Sequence, residues 1–138
     1  SELSNKYDKY VPLSLKISPD VSEDEIASVA SSLLQWKFDS VVATNTTLDR
    51  DFLPNHPHSM ESGGLSGAPL MEKATKAVKA LKSHLEDEIP IIAAGGIMSA
   101  SDAEEKFSAG AKLVQIYSGF IYHGPKLIKQ INECYEPA

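Results

Sequence analysis

The chain has 138 residues, 42% hydrophobic and 23% charged, with a formal net charge of −6, which excludes collagen-like, disordered and disulfide-scaffold classes. The acidic balance leaves no basic stripe for phosphate backbones and so excludes nucleic acid as a partner. No apolar run reaches the roughly 18–20 residues a membrane span needs, and the one cysteine, Cys134, permits no internal disulfide.

Residues 1–10 are polar and irregular, without a starting Met or a signal-peptide pattern. They are expected to be a linker or a truncated loop of a longer protein. Residues 11–17 (VPLSLKI) alternate and are rich in β-prone side chains, which predicts a strand. A helix follows, because Ser22 and Glu25 have capping-box spacing and Ile26, Val29, Ala30, Leu33 and Leu34 share one face. Residues 40–44 (SVVAT) form a short apolar run of the kind buried on both faces of a parallel sheet.

From 48 to 67 the periodicity disappears, and Pro54, Pro57, Gly63, Gly64 and Gly67 mark a long loop. A loop of that length in a small domain is usually functional or disordered. Helical spacing returns with Leu70, Ala74, Ala77, Val78, Leu81 and Leu85, followed by a strand at 89–94 (IPIIAA) and a tight Gly95-Gly96 turn. Ser101 and Glu104 predict a second capping box, on a helix carrying Ala103 and Phe107. Residues 112–117 (KLVQIY) are the fourth expected strand. Pro125 opens a last helix bearing Leu127, Ile128, Ile131 and Tyr135.

The order is βα four times over, an α/β pattern that implies a parallel sheet with right-handed crossovers. A doubly wound domain and half of a closed (β/α)8 barrel both fit it. In either, ligands bind at the carboxyl ends of the strands. Those ends carry Lys16, then Thr44-Asn45-Thr46-Thr47, then Gly95-Gly96, then Tyr117-Ser118-Gly119, with Gly63-Gly64-Leu65-Ser66-Gly67 in the long loop.

Lys16 either snorkels at its strand end or serves as a fixed cation for charge developing on a ligand. The Asn45 amide offers both donor and acceptor, which suits a pyrimidine edge, although Asn and Thr also make ordinary polar turns. Gly95-Gly96 ahead of a capped helix aims backbone N–H groups at one point, an arrangement anions favour. His56 and His58 have no acidic or thiol partners at metal-ligand spacing, so no metal site is assigned. His84, His123 and the Glu86-Asp87-Glu88 run are expected to be solvated, and Cys134 to be an inert, partly packed thiol.

Five segments in order, LKISPD (15–20), ATNTTLDR (43–50), GGLSGAPL (63–70), PIIAAGGI (90–97) and AKLVQIYSGFIYHGP (111–125), closely resemble the C-terminal half of the class 2, quinone-dependent dihydroorotate dehydrogenases. The resemblance runs from about residue 11 to 131 and implies that residues 11–138 are the C-terminal half of an FMN-binding TIM barrel. It implies an oxidoreductase of pyrimidine biosynthesis that oxidises dihydroorotate to orotate through FMN and passes electrons to a quinone. By position, Lys16 matches the lysine beside the flavin pyrimidine ring, and Thr44, Gly67, Gly96, Tyr117 and Ser118 match FMN-binding positions. Asn45 and Thr46 match residues that hydrogen-bond the substrate ring.

The family's catalytic serine base lies in the preceding half of the barrel, so no residue of this chain is assigned as catalytic. The membrane- and quinone-facing helices precede it as well. The resemblance implies a parent protein peripheral on the inner membrane, on the cytoplasmic side if bacterial. The isolated chain is expected to be inactive and to self-associate, because a half-barrel exposes two strand edges. Two alternatives remain: a non-catalytic FMN- or phosphate-binding half-barrel, and another phosphate-binding barrel enzyme.

Overall fold

A computed structural model describes residues 6–51, 53 and 55–135. Residues 1–5 of the expected opening segment, Phe52, Pro54 and residues 136–138 lie outside it. The strands are β1 (Ser14–Ile17), β2 (Ser40–Ala43), β3 (Ile91–Ala94) and β4 (Leu113–Gln115). The helices are α1 (Glu23–Gln35), α2 (Met71–Leu85), α3 (Ala100–Ser108), α4 (Ser118–His123) and α5 (Pro125–Cys134), with a single 3-10 turn at Ala68–Leu70 leading into α2. No helix among the described residues is long and apolar enough to cross a membrane.

All four strands run parallel, in the spatial order β1-β2-β3-β4. This order decides between the two architectures. A doubly wound sheet needs a point where strand order reverses, and none exists here. Sequential right-handed crossovers put every helix on the same side of the sheet, as in a (β/α)8 barrel, of which four βα units are half.

The register shows the consequence. Ile17, Ala43, Ala93 and Val114 share one row facing the helices, where they pack with Ala30 and Leu33 of α1 and Val78 and Leu81 of α2. Each fully buried leucine there contributes roughly 1.5–3 kcal/mol. The alternate row is Lys16, Val42, Ile92 and Leu113, which is half-buried or exposed, Leu113 by 57%. The expectation that 40–44 is buried on both faces is therefore corrected. Val41 and Ala43 are fully covered, whereas Ser40 and Val42 meet the open face. A second, smaller core joins Ile97, Ala103, Leu127 and Ile131 under α3 and α5.

Several boundaries also differ, each for a local reason. β1 starts at Ser14 and not at Val11, because Pro12 has no N–H and the Leu13 N–H bonds Asp39 Oδ2 at 2.7 Å. Pro90 likewise delays β3 to Ile91. The α1 capping box at Ser22 and Glu25 is present as expected. The second capping box expected at Ser101 and Glu104 does not form; the helix is capped two residues earlier, at Ser99. Ser99, extended at φ −144, accepts from the Asp102 N–H, and Asp102 Oδ2 accepts from the Met98 N–H at 2.9 Å. Ser101 already lies inside the helix. Around Pro125 there are two helices where one was expected, separated by Gly124 at φ +62. Tyr135 falls just past α5 and packs its ring 4.7 Å from that of Phe107.

Among the described residues one ionisable side chain is fully buried. Lys106 of α3 is 0% exposed and donates to Met71 O at 2.9 Å and Thr75 Oγ1 at 2.6 Å in α2. Burial pushes its ammonium from 10.5 down to about 8, against the opposing pull of Glu105 and Asp102. The unfolded chain therefore holds the extra proton between about pH 8 and 10.5, and stability rises with pH across that window. Urea unfolding at a series of pH values checks this. The wild-type chain should gain stability relative to Lys106→Met as pH climbs from about 8 towards 10.5, whereas a pH-independent difference would refute it.

Candidate functional site

Because the strands are parallel and in sequence order, their carboxyl ends meet at one rim. Two backbone bonds fix the first three ends there. Asn45 N–H donates to Ile17 O and Thr44 N–H to Ala94 O, each at 2.8 Å. The rim encloses an open cavity of about 340 Å³. Lys16, Thr44, Asn45 and Thr46 line one part, and Gly67, Gly96, Tyr117 and Ser118 line another. All eight sequence-assigned site residues thus border a single space.

The polar groups differ in how firmly they are held. Thr44 is buried, and its hydroxyl donates to Asn45 O at 2.9 Å. Asn45 Oδ1 accepts from the Thr46 N–H at 2.9 Å, which fixes the carboxamide and leaves its NH2 turned to other acceptors. Lys16 Nζ donates to Gln115 Oε1 at 3.2 Å across the open face of the sheet. The cation faces the cavity from β1 with no carboxylate within ion-pair range among the described residues. Ser66 and Ser118 hydroxyls lie 3.1 Å apart and join the long loop to the start of α4.

Gln115 and Ser66 had no role in the sequence reading. Gln115 carried a signal nonetheless: it is polar within an apolar strand and falls in the inward register, paired with Ala94. Described residues of the long loop are tied down at both of its ends. Thr47 and Leu65 form an antiparallel bridge, with N–H···O distances of 3.1 and 2.7 Å. Arg50 donates to the carbonyls of Thr47, Asp49 and Gly63.

Behind that bridge stands an ionic cluster that no sequence spacing announced. Lys73 of α2 lies 2.6 Å from Asp20 and 3.1 Å from Asp49. Asp20 also accepts from the Thr47 hydroxyl at 2.5 Å and the Leu48 N–H at 2.8 Å. Partial burial works against ionising Asp20, yet Lys73, Thr47 and Leu48 together hold its carboxyl below the usual range. His56 and His58 lie apart from the main cavity, in a shallow pocket of the loop with Arg50 and Glu61. His58 Nδ1 is 2.5 Å from Glu61 Oε1. The Cys134 thiol is half-buried, and burial together with Glu104 and Glu133 raises its pKa, the character of an inert thiol.

The cavity suits a flat ligand with an anionic tail. Lys16 supplies charge on one side. On another, the Gly95-Gly96 turn and the first turn of α4 present backbone, and the leading N–H groups of a helix have no partner within it. Gly96 has φ +82 and packs directly on the start of α2, where an added Cβ would lie 2.2 Å from Met71 Cα. Gly96→Ala should therefore cost about 1–3 kcal/mol through strain and overpacking, read as a lower urea midpoint. An unchanged midpoint would show that the turn tolerates a side chain and is not tightly shaped.

The dihydroorotate dehydrogenase family model matches residues 2–136. A dihydroorotate dehydrogenase (quinone) of Shewanella denitrificans is 59% identical over 131 residues, covering 95% of this chain and 39% of that protein. The enzyme of the same name from Psychromonas ingrahamii is 56% identical over 131 residues, with the same coverage. The crystal structure of a DHODH from Eimeria tenella in complex with ferulenol superposes with a TM-score of 0.84 at 34% identity, covering 91% of this chain and 33% of that one. This chain thus spans about two fifths of the length of the curated relatives.

Proposed function

This chain belongs to the dihydroorotate dehydrogenase family, and on that premise we propose that it forms the flavin-gripping part of a quinone-linked enzyme that oxidises dihydroorotate to orotate. The observation that carries this reading is the convergence, on one cavity, of a lysine with no carboxylate partner among the described residues, a glycine turn with backbone donors and a polar Asn-Thr edge.

FMN fits that set: it would accept a hydride from the substrate and deliver electrons onward to the quinone. In this reading Lys16 lies beside the flavin pyrimidine edge, where its fixed positive charge favours negative charge on the ring. The Gln115 carboxamide holds the ammonium in place. Thr44, just past the end of β2, would contact the flavin, and Gly67 would let it approach the loop without a side chain in the way. The turn at Gly96 and the backbone and hydroxyl of Tyr117-Ser118 hold the phosphate. Asn45 and Thr46 meet the pyrimidine ring of dihydroorotate and orient it. The group that takes the substrate proton lies outside these four βα units, as do the quinone channel and peripheral attachment to the inner membrane. The chain alone is then inactive.

Two measurements test this. In a whole enzyme containing this chain, Lys16→Ala should lower turnover by roughly 10²–10³-fold, the size expected for one preorganised electrostatic group; unchanged turnover would remove the role given to Lys16. A chain that leaves FMN fluorescence unaltered at saturating flavin would argue against binding by this part alone.

The open row Lys16, Val42, Ile92 and Leu113, together with the outer edges of β1 and β4, supports a further part of the proposal. Two copies of the isolated chain could close the sheet by pairing β4 of each with β1 of the other. Light scattering should then give a dimer mass, and a monomer at high concentration would contradict it.

A further inference from the structure

The buried Lys106 has no part in the flavin reading, and its surroundings say what it does. The turn from Gly95 to Ser99 is held between two helix starts. On one side Gly95 and Gly96 rest on the 3-10 turn and the first residue of α2, where an added Cβ would come within 2.8 Å of Leu70 Cδ2 and 2.2 Å of Met71 Cα respectively. On the other side the turn ends in the α3 cap, where the Ser99 hydroxyl accepts from the Asp102 N–H and the Asp102 carboxylate accepts from the Met98 N–H. The spacing between those helix starts therefore sets the path of the turn.

Lys106 spans that gap. From the second turn of α3 its Nζ reaches Met71 O at 2.9 Å and Thr75 Oγ1 at 2.6 Å, and Thr75 itself donates to Met71 O at 2.9 Å. Met71 is the residue on which Gly96 packs. No carboxylate among the described residues lies within ion-pair range of Lys106. For stability alone, an apolar side chain of similar volume would fill such a site at least as well, since burying an ammonium is costly. A directional group with several donors does something a methionine cannot: it fixes distance and orientation.

We propose that Lys106 is a positioning residue, a buried strap that locks the first turn of α2 to α3 and thereby preforms the Gly95-Gly96 turn for an anion. The assignment of that turn to phosphate rests on the flavin reading above; the strap itself does not.

Amide hydrogen exchange on the full chain without ligand tests it. In Lys106→Met, protection of the Met98 amide, which closes the turn by donating to Asp102 Oδ2, should fall roughly tenfold relative to the amides of β2. Thr75→Val, which removes one acceptor with little change of shape, should act in the same direction, and Thr75→Ser should restore protection. Unchanged protection of the turn in both Lys106→Met and Thr75→Val would overturn the proposal. So would a uniform loss across the chain in both, because that pattern belongs to a residue serving stability alone. Should Lys106→Met fail to fold, Thr75→Val and its serine rescue decide by the same criterion. The expected pattern in a chain that takes up no FMN would leave the strap standing and count against the flavin reading only.

Discussion

The feature on which everything else depends is the sequential parallel ladder. Because β1 to β4 are neighbours in chain order, and right-handed crossovers all fall on one side, the helices cover one face of the sheet and leave the other bare. The same constraint brings all four carboxyl ends to one rim. Alternation along each strand then divides the labour: Ile17, Ala43 and Ala93 build the core, while Lys16 and Gln115 turn to the open face and meet there.

That division explains why the site can be polar without cost to the core. The cavity groups sit beyond the strand ends or on the bare face, where their hydrogen bonds are local or face solvent. The polar side chains that do sink inward, Thr44, Thr47, Thr75 and Lys106, all have hydrogen-bond partners, as buried polar groups require. Three of the four stand directly behind a cavity-lining segment: Thr47 behind Asn45-Thr46, and Thr75 with Lys106 behind the glycine turn. The rim is thus supported from below by buried polar contacts, and its flexible-looking loops are held at both ends.

Of the eight sequence-assigned residues that border the cavity, seven lie at strand ends and Gly67 lies in the long loop, and family motifs contiguous in sequence picked them out from their neighbours. Fold class was legible in outline from the βα alternation. The choice of a half-barrel over a doubly wound sheet came only through the family motifs, since periodicity records which residues are apolar and says nothing about strand order. The cap of α3 was misplaced because Ser99 and Ser101 each stand three residues before an acidic side chain, and only the exit of the chain from the Gly95-Gly96 turn selects the earlier one. The Asp20–Lys73–Asp49 cluster and the Lys106 strap join residues 24 to 53 and 31 to 35 positions apart. No local pattern encodes contacts of that range.

The central claim is that the strand-end rim of this chain grips FMN, with its phosphate at the glycine turn and its pyrimidine edge at Lys16. A crystal structure with FMN of a polypeptide containing this chain tests it most directly. The phosphate oxygens should lie within hydrogen-bonding distance of the Gly96 and Ser118 backbone, and Lys16 Nζ within reach of the flavin pyrimidine edge. A flavin whose phosphate lies elsewhere, or whose ring is turned away from Lys16, would contradict it.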